Sequence, residues 1–462
     1  MKQNMEKTRT MIQSNNYTGE FKRVLEICQG IPEERKAFFE NPHKWLESRK
    51  FDLDPEETFK GIRACICREK LQGENVYLNE LSEAIKYIHD LQKERTSPER
   101  FENIRFRKWF ERKRAKNRIQ SRLMRGMEGD YFMPVIFELA DGCSMGCPFC
   151  CLDAKPLKKI FRYTPENAEL WKDILKITVD VIGKIADTSA CYFATEPFDN
   201  PDYEKFLENY RDIMGDYPQT TTAAAQKNIG RTKAFLRKLS DENLRKAAVR
   251  FSVTNLDQLK EIQDAFSADE LKYVELLLNN PESENIYSRS GRARELSKYL
   301  PEQKFSEGYS CVCTCGFAVN MVHRTITLMS PHRPDEEYPE GMEIYEKRSF
   351  QDQESFKSVL EEMIQKWMYA DLPDNLPMHL CKYVKLSYEN NILTVHGDGI
   401  RKKIGMNVVE YQCFREMMEE KKTLLQAAEK QGLTGYMRDR FRSKMKSLYD
   451  AGYIEEITLK NV

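Results

Sequence analysis

Two groups of cysteines carry the chemistry for which this sequence can be read. Cys143, Cys147, Cys150 and Cys151 fall within nine residues of ELADGCSMGCPFCCLDA, and Cys311, Cys313 and Cys315 within five of GYSCVCTCGF. The first group contains the spacing C-x3-C-x2-C. Three thiolates on a short, glycine-containing loop can each hold one iron of a 4Fe–4S cube, which leaves the fourth iron without a protein ligand and open for reaction. One alternative is a zinc site, but that would want a second C-x2-C pair, and the sequence has none. The other is a complete cluster with a distant fourth cysteine. Cys151 directly follows Cys150, and one loop can hardly aim both thiols at the same cube, so Cys151 is read as packing around the site.

The second group stands at alternate positions. On a straight strand its three thiols would share one side, spread over ~13 Å. That is too long for one cube, so a shared cluster requires a bend, which Gly308 and Gly316 permit. Three readings compete for Cys311, Cys313 and Cys315: an auxiliary Fe–S cluster completed by Cys381, a catalytic thiol, or plain buried cysteines. The thiol reading matters because an S–H group readily gives a hydrogen atom to a carbon radical.

The composition fits this chemistry and excludes others. The chain has 462 residues, 73 Lys plus Arg and 73 Asp plus Glu, so its net charge offers no argument for a polyanionic partner. With 24 Phe and 22 Tyr it is too aromatic for a disordered chain. No apolar stretch nears the ~20 residues of a membrane span. MKQNMEKTRTMIQSNN has no apolar run behind its charges and so does not read as a secretory signal. A reducing cytoplasm is the expected setting, where the 13 cysteines stay free or ligate metal. Cys65 and Cys67, two positions apart on an expected helix, cannot share a metal and are read as small buried hydrophobes.

The elements that must position these thiols follow from periodicity. Residues 19–30, 34–48, 55–71 and 77–93 read as helices, with Pro32, Pro42 and Pro55 at the breaks. The basic run from Arg105 to Arg125 reads as a solvated connector helix anchored by Trp109 and Phe110, or else as a docking surface for an acidic peptide. From Tyr131 short β runs alternate with helices: strands at 134–139, 190–195, 219–224, 249–254 and 272–278, helices near 165–185, 202–214, 231–247 and 255–267. Such alternation argues for βα units and a parallel sheet, whose ligands sit at the carboxyl ends of the strands. The first cysteine group follows the first strand directly. Beyond it come a strand pair split by His323 and Arg324, a helix, and the linker DLPDNLPMH. A hairpin around Glu389, Asn390 and Asn391 and helices near 407–420, 422–431 and 434–450 then make a winged-helix pattern. The expected division is a helical domain over 1–128, a core over 129–335, a helix and linker over 336–383, and the winged helix over 384–462.

The motif C-x3-C-x-aromatic-C, with Phe149 as the aromatic, resembles the signature of the radical S-adenosylmethionine (radical SAM) superfamily. That resemblance implies an α/β fold, a partial (β/α)6 TIM-like barrel. It also implies a 4Fe–4S cluster on Cys143, Cys147 and Cys150 that chelates SAM, whose reductive cleavage yields a hydrogen-abstracting 5′-deoxyadenosyl radical. Thr195 and Glu196 stand where the family usually shows a Gly-Gly-Glu-like stretch that binds the SAM amino group, and here two glycines are replaced. Arg250 and Ser252 match the family's contacts to SAM carboxylate and ribose, the alternative for Arg250 being a structural ion pair. Gly291 and Arg292 would give a backbone approach to adenine.

The last eighty residues resemble the winged-helix element that captures the leader of a ribosomally synthesised precursor peptide by adding it as a strand. The alternative there is a DNA-binding winged helix, because Arg438, Arg440, Arg442, Lys444 and Lys446 make its third helix basic. CGFAVNMVHRTITLMSPHRPDEEYPEGMEIYEKRSF is similar to the proteusin-type radical SAM peptide epimerases, and AFFENPHKWLESRKFDLDPEE has the flavour of the leaders those enzymes process. The resemblance implies L-to-D epimerisation at Cα, with hydrogen returned by Cys313, Cys315 or Cys381. It also implies a flavodoxin- or ferredoxin-type electron donor. If those thiols are cluster ligands, the chemistry shifts to thioether or carbon–carbon crosslinking. An Fe–S-containing DNA-binding regulator is the reading from a different class.

Overall fold

The computed structural model describes residues 17–67, 69, 74–121, 132–241, 249–306 and 308–457. The expected 128/129 boundary, the end of the basic run at 122–125 and residues 242–247 of an expected helix lie outside these. Five helices open the chain: α1 (Tyr17–Gly30), α2 (Pro32–Glu40), α3 (Pro42–Ser48), α4 (Pro55–Cys67) and α5 (Val76–Arg95). Proline is pre-organised for the first helical position, so the stretch expected over 34–48 is two helices, with Asn41 capping α3 through Lys44 N at 3.0 Å. Cys65 is half-buried and Cys67 exposed, against the expectation that both are buried. Two positions turn a helix by ~200°, so seating one thiol turns the other out.

The described part of the basic run forms α6 (Ile104–Gln120), and it is not the solvated connector expected. Phe106, Trp109, Phe110, Arg112, Lys113, Lys116, Asn117, Ile119 and Gln120 are all buried along it. The most buried cations have internal partners: Lys116 Nζ lies 2.9 Å from Glu343 and 2.6 Å from Glu455, Lys113 also pairs with Glu455, and Arg112 donates to Tyr369 O at 2.6 Å. Hydrophobic periodicity cannot reveal the burial of a helix whose long cationic side chains lie against carboxylates.

The α/β region follows: β1 (Met133–Glu138), β2 (Ala140–Asp141), β3 (Lys159–Ile160), α7 (Pro165–Ile182), α8 (Tyr203–Met214), β4 (Thr221–Thr222), α9 (Ile229–Asp241), β5 (Arg250–Val253), α10 (Leu256–Ala265) and β6 (Glu275–Leu278). β4, β5 and β6 pair in parallel. The run 190–195 is not a regular strand, but Ala190 makes parallel bridges to both Ile136 and Gln219, so it links β1 to the β4 side in chain order. The short β7 (Tyr287–Ser288) and β8 (Phe305–Ser306) pair with each other, and β9 (Thr314–Asn320), β10 (Thr325–Pro331) and β11 (Met342–Ser349) extend the sheet from β1 in the order β1-β9-β10-β11. The architecture is mixed α/β, with small sheets and no closed barrel among the described strands. The helix expected before the linker DLPDNLPMH is α11 (Gln353–Trp367), which buries Phe356, Val359, Leu360, Met363 and Ile364 in the main core.

A β-bulge decides where the second cysteine group points. Met133 and Val135 of β1 face Thr314 and Phe317 of β9, two steps against three. Gly316, at φ +144°, has no room for a Cβ, which would sit 2.1 Å from Pro134 O. The extra residue reverses the alternation. Cys313 packs among Met133, Ile136 and Ala318 on the inner face, whereas Cys315 is buried with Phe317 and Val319 on the outer face against α6.

The C-terminal unit has its own core, which includes Met378, Leu393, Phe414, Phe441, Leu448 and Ile454. Its strands are β12 (Met378–Leu380), β13 (Lys385–Glu389), β14 (Ile392–His396), β15 (Arg401–Gly405) and β16 (Ile454–Glu456); its helices are α12 (Val408–Glu419), α13 (Leu424–Lys430) and α14 (Gly435–Asp450). β15 turns the expected hairpin into a three-stranded sheet, and β12 pairs with β16, so the unit begins before residue 384. No helix among the described residues is long and apolar enough to cross a membrane.

Buried His332, just past β10, supplies a pH prediction. Its Nδ1 lies 2.8 Å from Arg333 O and so carries the proton, leaving Nε2 to accept from Gln120 Nε2 at 3.2 Å. Burial, aided by nearby Lys116, lowers its pKa from 6.5 to about 4. The unfolded chain therefore binds the proton first, so stability is whole above about pH 6.5 and falls as pH drops toward about 4. His332→Gln is expected to flatten that part of the acid limb in urea unfolding midpoints. Parallel curves for wild type and variant would assign the slope to other groups.

Candidate functional site

The first cysteine group lies on a closed loop leaving the carboxyl end of β1. Its neck is set by Cys143 N donating to Lys155 O at 2.8 Å, and by Gly142, where a Cβ would stand 2.3 Å from Pro156 O. Ser144 N and Oγ donate to Asp199 at 2.9 and 2.5 Å, anchoring the loop to the turn after the 190–195 segment. Cys143, Cys147 and Cys150 are all half-buried, and Phe149 is half-buried beside them. Burial, then the neighbouring Cys143 and Cys150, pushes the Cys147 thiol up to about 12. Burial also raises Cys143, opposed by Met145 N, which points at its sulfur from 3.4 Å. Ala154 N points at Cys150 Sγ from 3.3 Å.

This donor set fits an iron–sulfur cube. Binding a cation is what draws the protons from neighbouring thiols at neutral pH, and N–H groups aimed at sulfur would stabilise and tune such a centre. Among the described residues no three His, Cys, Asp or Glu side chains converge as one metal ion requires. A cube asks for something else, one thiolate on each of three irons.

Gly291 and Arg292, expected beside adenine, are engaged with this loop. Arg292 N donates to Cys150 O at 2.8 Å, and its guanidinium donates to Cys147 O at 3.1 Å and Ala154 O at 2.8 Å and pairs with Asp153 at 3.3 Å. Gly291, at φ +51°, has Cys151 O 2.3 Å from the position of a Cβ. Gly291→Ala is therefore expected to push the loop off its brace and to weaken iron retention by about 10–100-fold, the usual effect of losing support behind metal ligands. Iron content after gel filtration against a chelator tests this, and unchanged retention would mean that the loop is held by other contacts.

The other expected SAM contacts are placed as follows. Glu196 is buried, accepts from Thr222 Oγ1, Ala223 N and Phe198 N at 2.5, 2.9 and 3.1 Å, and is raised above the usual carboxylate range by burial. It sits near enough to Cys143 and Cys147 to influence both. Thr195 Oγ1 accepts from Phe193 N at 3.5 Å. Arg250 and Ser252 do share the less buried face of β5. Arg250, however, pairs with Glu275 on β6 at 2.7 Å, the structural alternative, while lying close enough to Cys313 to influence it.

The three candidate hydrogen donors are not equivalent. Cys313 faces the interior, and burial raises its thiol although Arg250 opposes this, so it stays as S–H. Cys315 is on the far face of β9. Cys381 is buried in the C-terminal unit, where its N donates to Tyr453 O at 2.9 Å and its neighbours are Glu455, Lys116 and Lys113. Of the thiols expected for an auxiliary cluster, Cys315 thus lies across the bulge from Cys313, and Cys381 lies beside Lys113 and Lys116 of α6. Cys151, read from sequence as packing around the site, lies close enough to Cys311 of the second group for each to influence the other. That proximity lowers Cys311 against its burial, and Tyr309 and Ser288 lower it further. No spacing rule could join segments so far apart in the chain.

No family model matches the chain, and no solved structure matches it. A curated protein described as "Uncharacterized protein y4wI", from Sinorhizobium fredii (strain NBRC 101917 / NGR234), is 36% identical over 284 residues, covering 60% of this chain and 54% of that protein. The chain thus spans about half the length of the relative it matches. That relative's name states no activity.

Proposed function

We propose that this chain is a radical SAM maturase of a ribosomally made peptide, most simply one that converts L residues to D. The observation that carries this reading is the pairing of an open three-thiol loop after β1 with a separate thiol, Cys313, that faces the interior of the same parallel region. Cys143, Cys147 and Cys150 would hold a 4Fe–4S cluster, which with SAM and an electron from a flavodoxin- or ferredoxin-type donor would supply hydrogen-abstracting radical chemistry. Arg292, Gly291 and Asp199 hold the loop in place for it. Cys313, kept as S–H by burial, would return a hydrogen atom to the substrate radical, and the thiyl left behind would be restored by one electron from the same donor and a proton from solvent. Cys315, turned to the outer face, removes the support that an auxiliary cluster gave to thioether or carbon–carbon crosslinking.

The C-terminal unit would bind the leader peptide. β13 and β15 each pair only with β14 among the described strands, so both edges can take an added strand. The DNA-binding alternative is weakened by what the basic residues of α14 do. Arg440 and Lys444 pair with Glu410 at 2.9 and 2.8 Å, Arg442 with Asp374 at 2.8 Å, and Lys446 with Asp371 at 2.5 Å. A cytoplasmic setting goes with this reading. Anaerobic co-production with the precursor peptide in D2O tests it: deuterium at Cα of chosen residues is expected, because a thiol exchanges with solvent before it gives its hydrogen. A peptide lighter by two hydrogens with no Cα deuterium would replace epimerisation by crosslinking.

A further inference from the structure

The ribbon that closes the cysteine loop carries charge for which the reaction proposed above has no use. Lys159 of β3 faces Asp141 of β2, and Lys158 N donates to Asp141 O at 2.8 Å. Asp141 stands two residues before Cys143, so the Cα atoms of Lys159 and Cys143 are no more than about 13 Å apart. Beside the ribbon opens a concavity of about 390 Å³, lined by buried Phe161 and Met321, by Val322, and by Lys159, Arg162 and Arg324. Arg162 and Lys205 share the buried carboxylate of Asp202 at 2.8 and 3.1 Å while staying 60% and 58% exposed, so positive charge faces outward. The other acids here each have a cation beside them: Asp141 has His323 at 3.0 Å, Asp153 has Lys155 at 2.6 Å, and Glu166 has Arg324 at 3.8 Å. Lys158 and Lys159 are exposed, and among the described residues neither has an ion-pair partner.

We propose that this face is the docking surface for an acidic one-electron carrier protein, with Lys158 and Lys159 as its charged anchors. It rests on the radical SAM reading, which needs an electron delivered to the three-thiol loop. The loop leaves few other approaches. Arg292 and Gly291 brace it on one side and the turn holding Asp199 on another, whereas Lys155, Pro156, Lys158 and Lys159 along its return are all exposed. Carriers of low potential, the flavodoxins and plant-type ferredoxins, present strongly acidic surfaces. Opposite charges steer such an encounter and fix its orientation without a large buried area, which suits a partner that must leave after each transfer. One electron passes from the reduced carrier, oxidised by one, to the group held on the loop, reduced by one; no bond forms or breaks and no proton moves.

The test mixes full-length protein with a flavodoxin and joins them by a carbodiimide, which links lysine amines directly to carboxylates; tandem mass spectrometry then maps the joined peptides. Crosslinks at Lys158 and Lys159 are expected. The double variant Lys158→Glu, Lys159→Glu should weaken flavodoxin binding at low salt by at least about tenfold in biolayer interferometry, whereas Lys86→Glu, an exposed site on α5, should leave it unchanged. Neither measurement needs a bound cluster. In reconstituted protein the double variant should form 5′-deoxyadenosine normally with dithionite, but at least about tenfold more slowly with flavodoxin hydroquinone. Crosslinks confined to other lysines, or unchanged affinity in the double variant, overturn the docking surface. Wild type that forms no 5′-deoxyadenosine with dithionite would overturn the radical SAM reading and this use of the surface with it, a failure that the dithionite arm alone reveals.

Discussion

Cys147→Ala is expected to leave a folded protein with no stable iron and no SAM cleavage. Cys147 sits in the middle of the loop, half-exposed, and its removal opens no core cavity. The stability cost should stay near the ~1 kcal/mol of an ordinary substitution. The effect on the cofactor is of another size. Losing a residue that only supports a ligand costs about 10–100-fold in metal affinity or activity, so losing a ligand should cost more than about 100-fold. Iron content and 5′-deoxyadenosine formation give the readout, with peptide capture by the C-terminal unit as the internal control, since its core is separate from that of the cysteine loop. Cys313→Ala makes the contrast: it should keep iron and SAM cleavage and lose only the D residue. A Cys147→Ala protein with wild-type iron would sink the three-thiol reading, whereas a Cys313→Ala protein still producing D residues would leave it standing and move the hydrogen donor elsewhere.

Lys116→Met should be the most damaging single change to the fold itself. Lys116 is 3% exposed and lies between Glu343 and Glu455, and Tyr345 donates to Glu343 at 2.8 Å. Burial works against every charge here, but the carboxylates outweigh it and raise Lys116 well above its usual value, while Lys113 and Lys116 hold Glu455 well below its own. Removing the central cation leaves buried carboxylates undercompensated, at a cost of about 3–5 kcal/mol. Lys116→Met combined with Glu343→Leu should recover much of that, because an apolar replacement of a whole buried pair is often nearly neutral. The pH dependence follows from the directions of shift. Glu455's contribution is complete above the unfolded value near ~4.3 and is lost as pH falls toward its depressed folded value. That of Lys116 is complete below ~10.4 and is lost above its raised one. Denaturant midpoints across this window measure both. A single variant within about 0.5 kcal/mol of wild type, the range of ordinary surface substitutions, would show that water enters the cluster.

What could be read from the sequence, and what could not, divides along physical lines. Helices with an apolar stripe and a cap were legible nearly to the residue: 165–185 against Pro165–Ile182, and 434–450 against Gly435–Asp450. The order of strands and helices, and the placing of the cysteine loop after β1, followed from periodicity alone. α6 was misread because its buried face is made of Arg and Lys stems that only Glu343, Glu455 and Tyr369, all remote in the chain, make comfortable. β15 was missed because RKKIG carries surface charge on an edge strand, where burial leaves little pattern. The outward turn of Cys315 rests on one bulge against β1, and a single extra residue in a ladder reverses every later side chain. Contacts between Arg292 and the cysteine loop belong to tertiary structure and leave no local trace.

The burial of α6 also sets an order on the making of this protein. Lys113 and its partner Glu455 are separated by 342 positions. At roughly 5–20 residues per second, translation needs somewhere between about 17 s and a minute or more to cover that distance. Throughout that time the lysines of α6 have no Glu455, and water must serve them instead. The hydrophobic face of the helix can meet β9 early, but its cationic face cannot close until residues 454–456 arrive to pair with β12. A ribosome-bound chain therefore carries an unfinished seam along its middle for most of its synthesis, and one of the first helices made is among the last to be sealed.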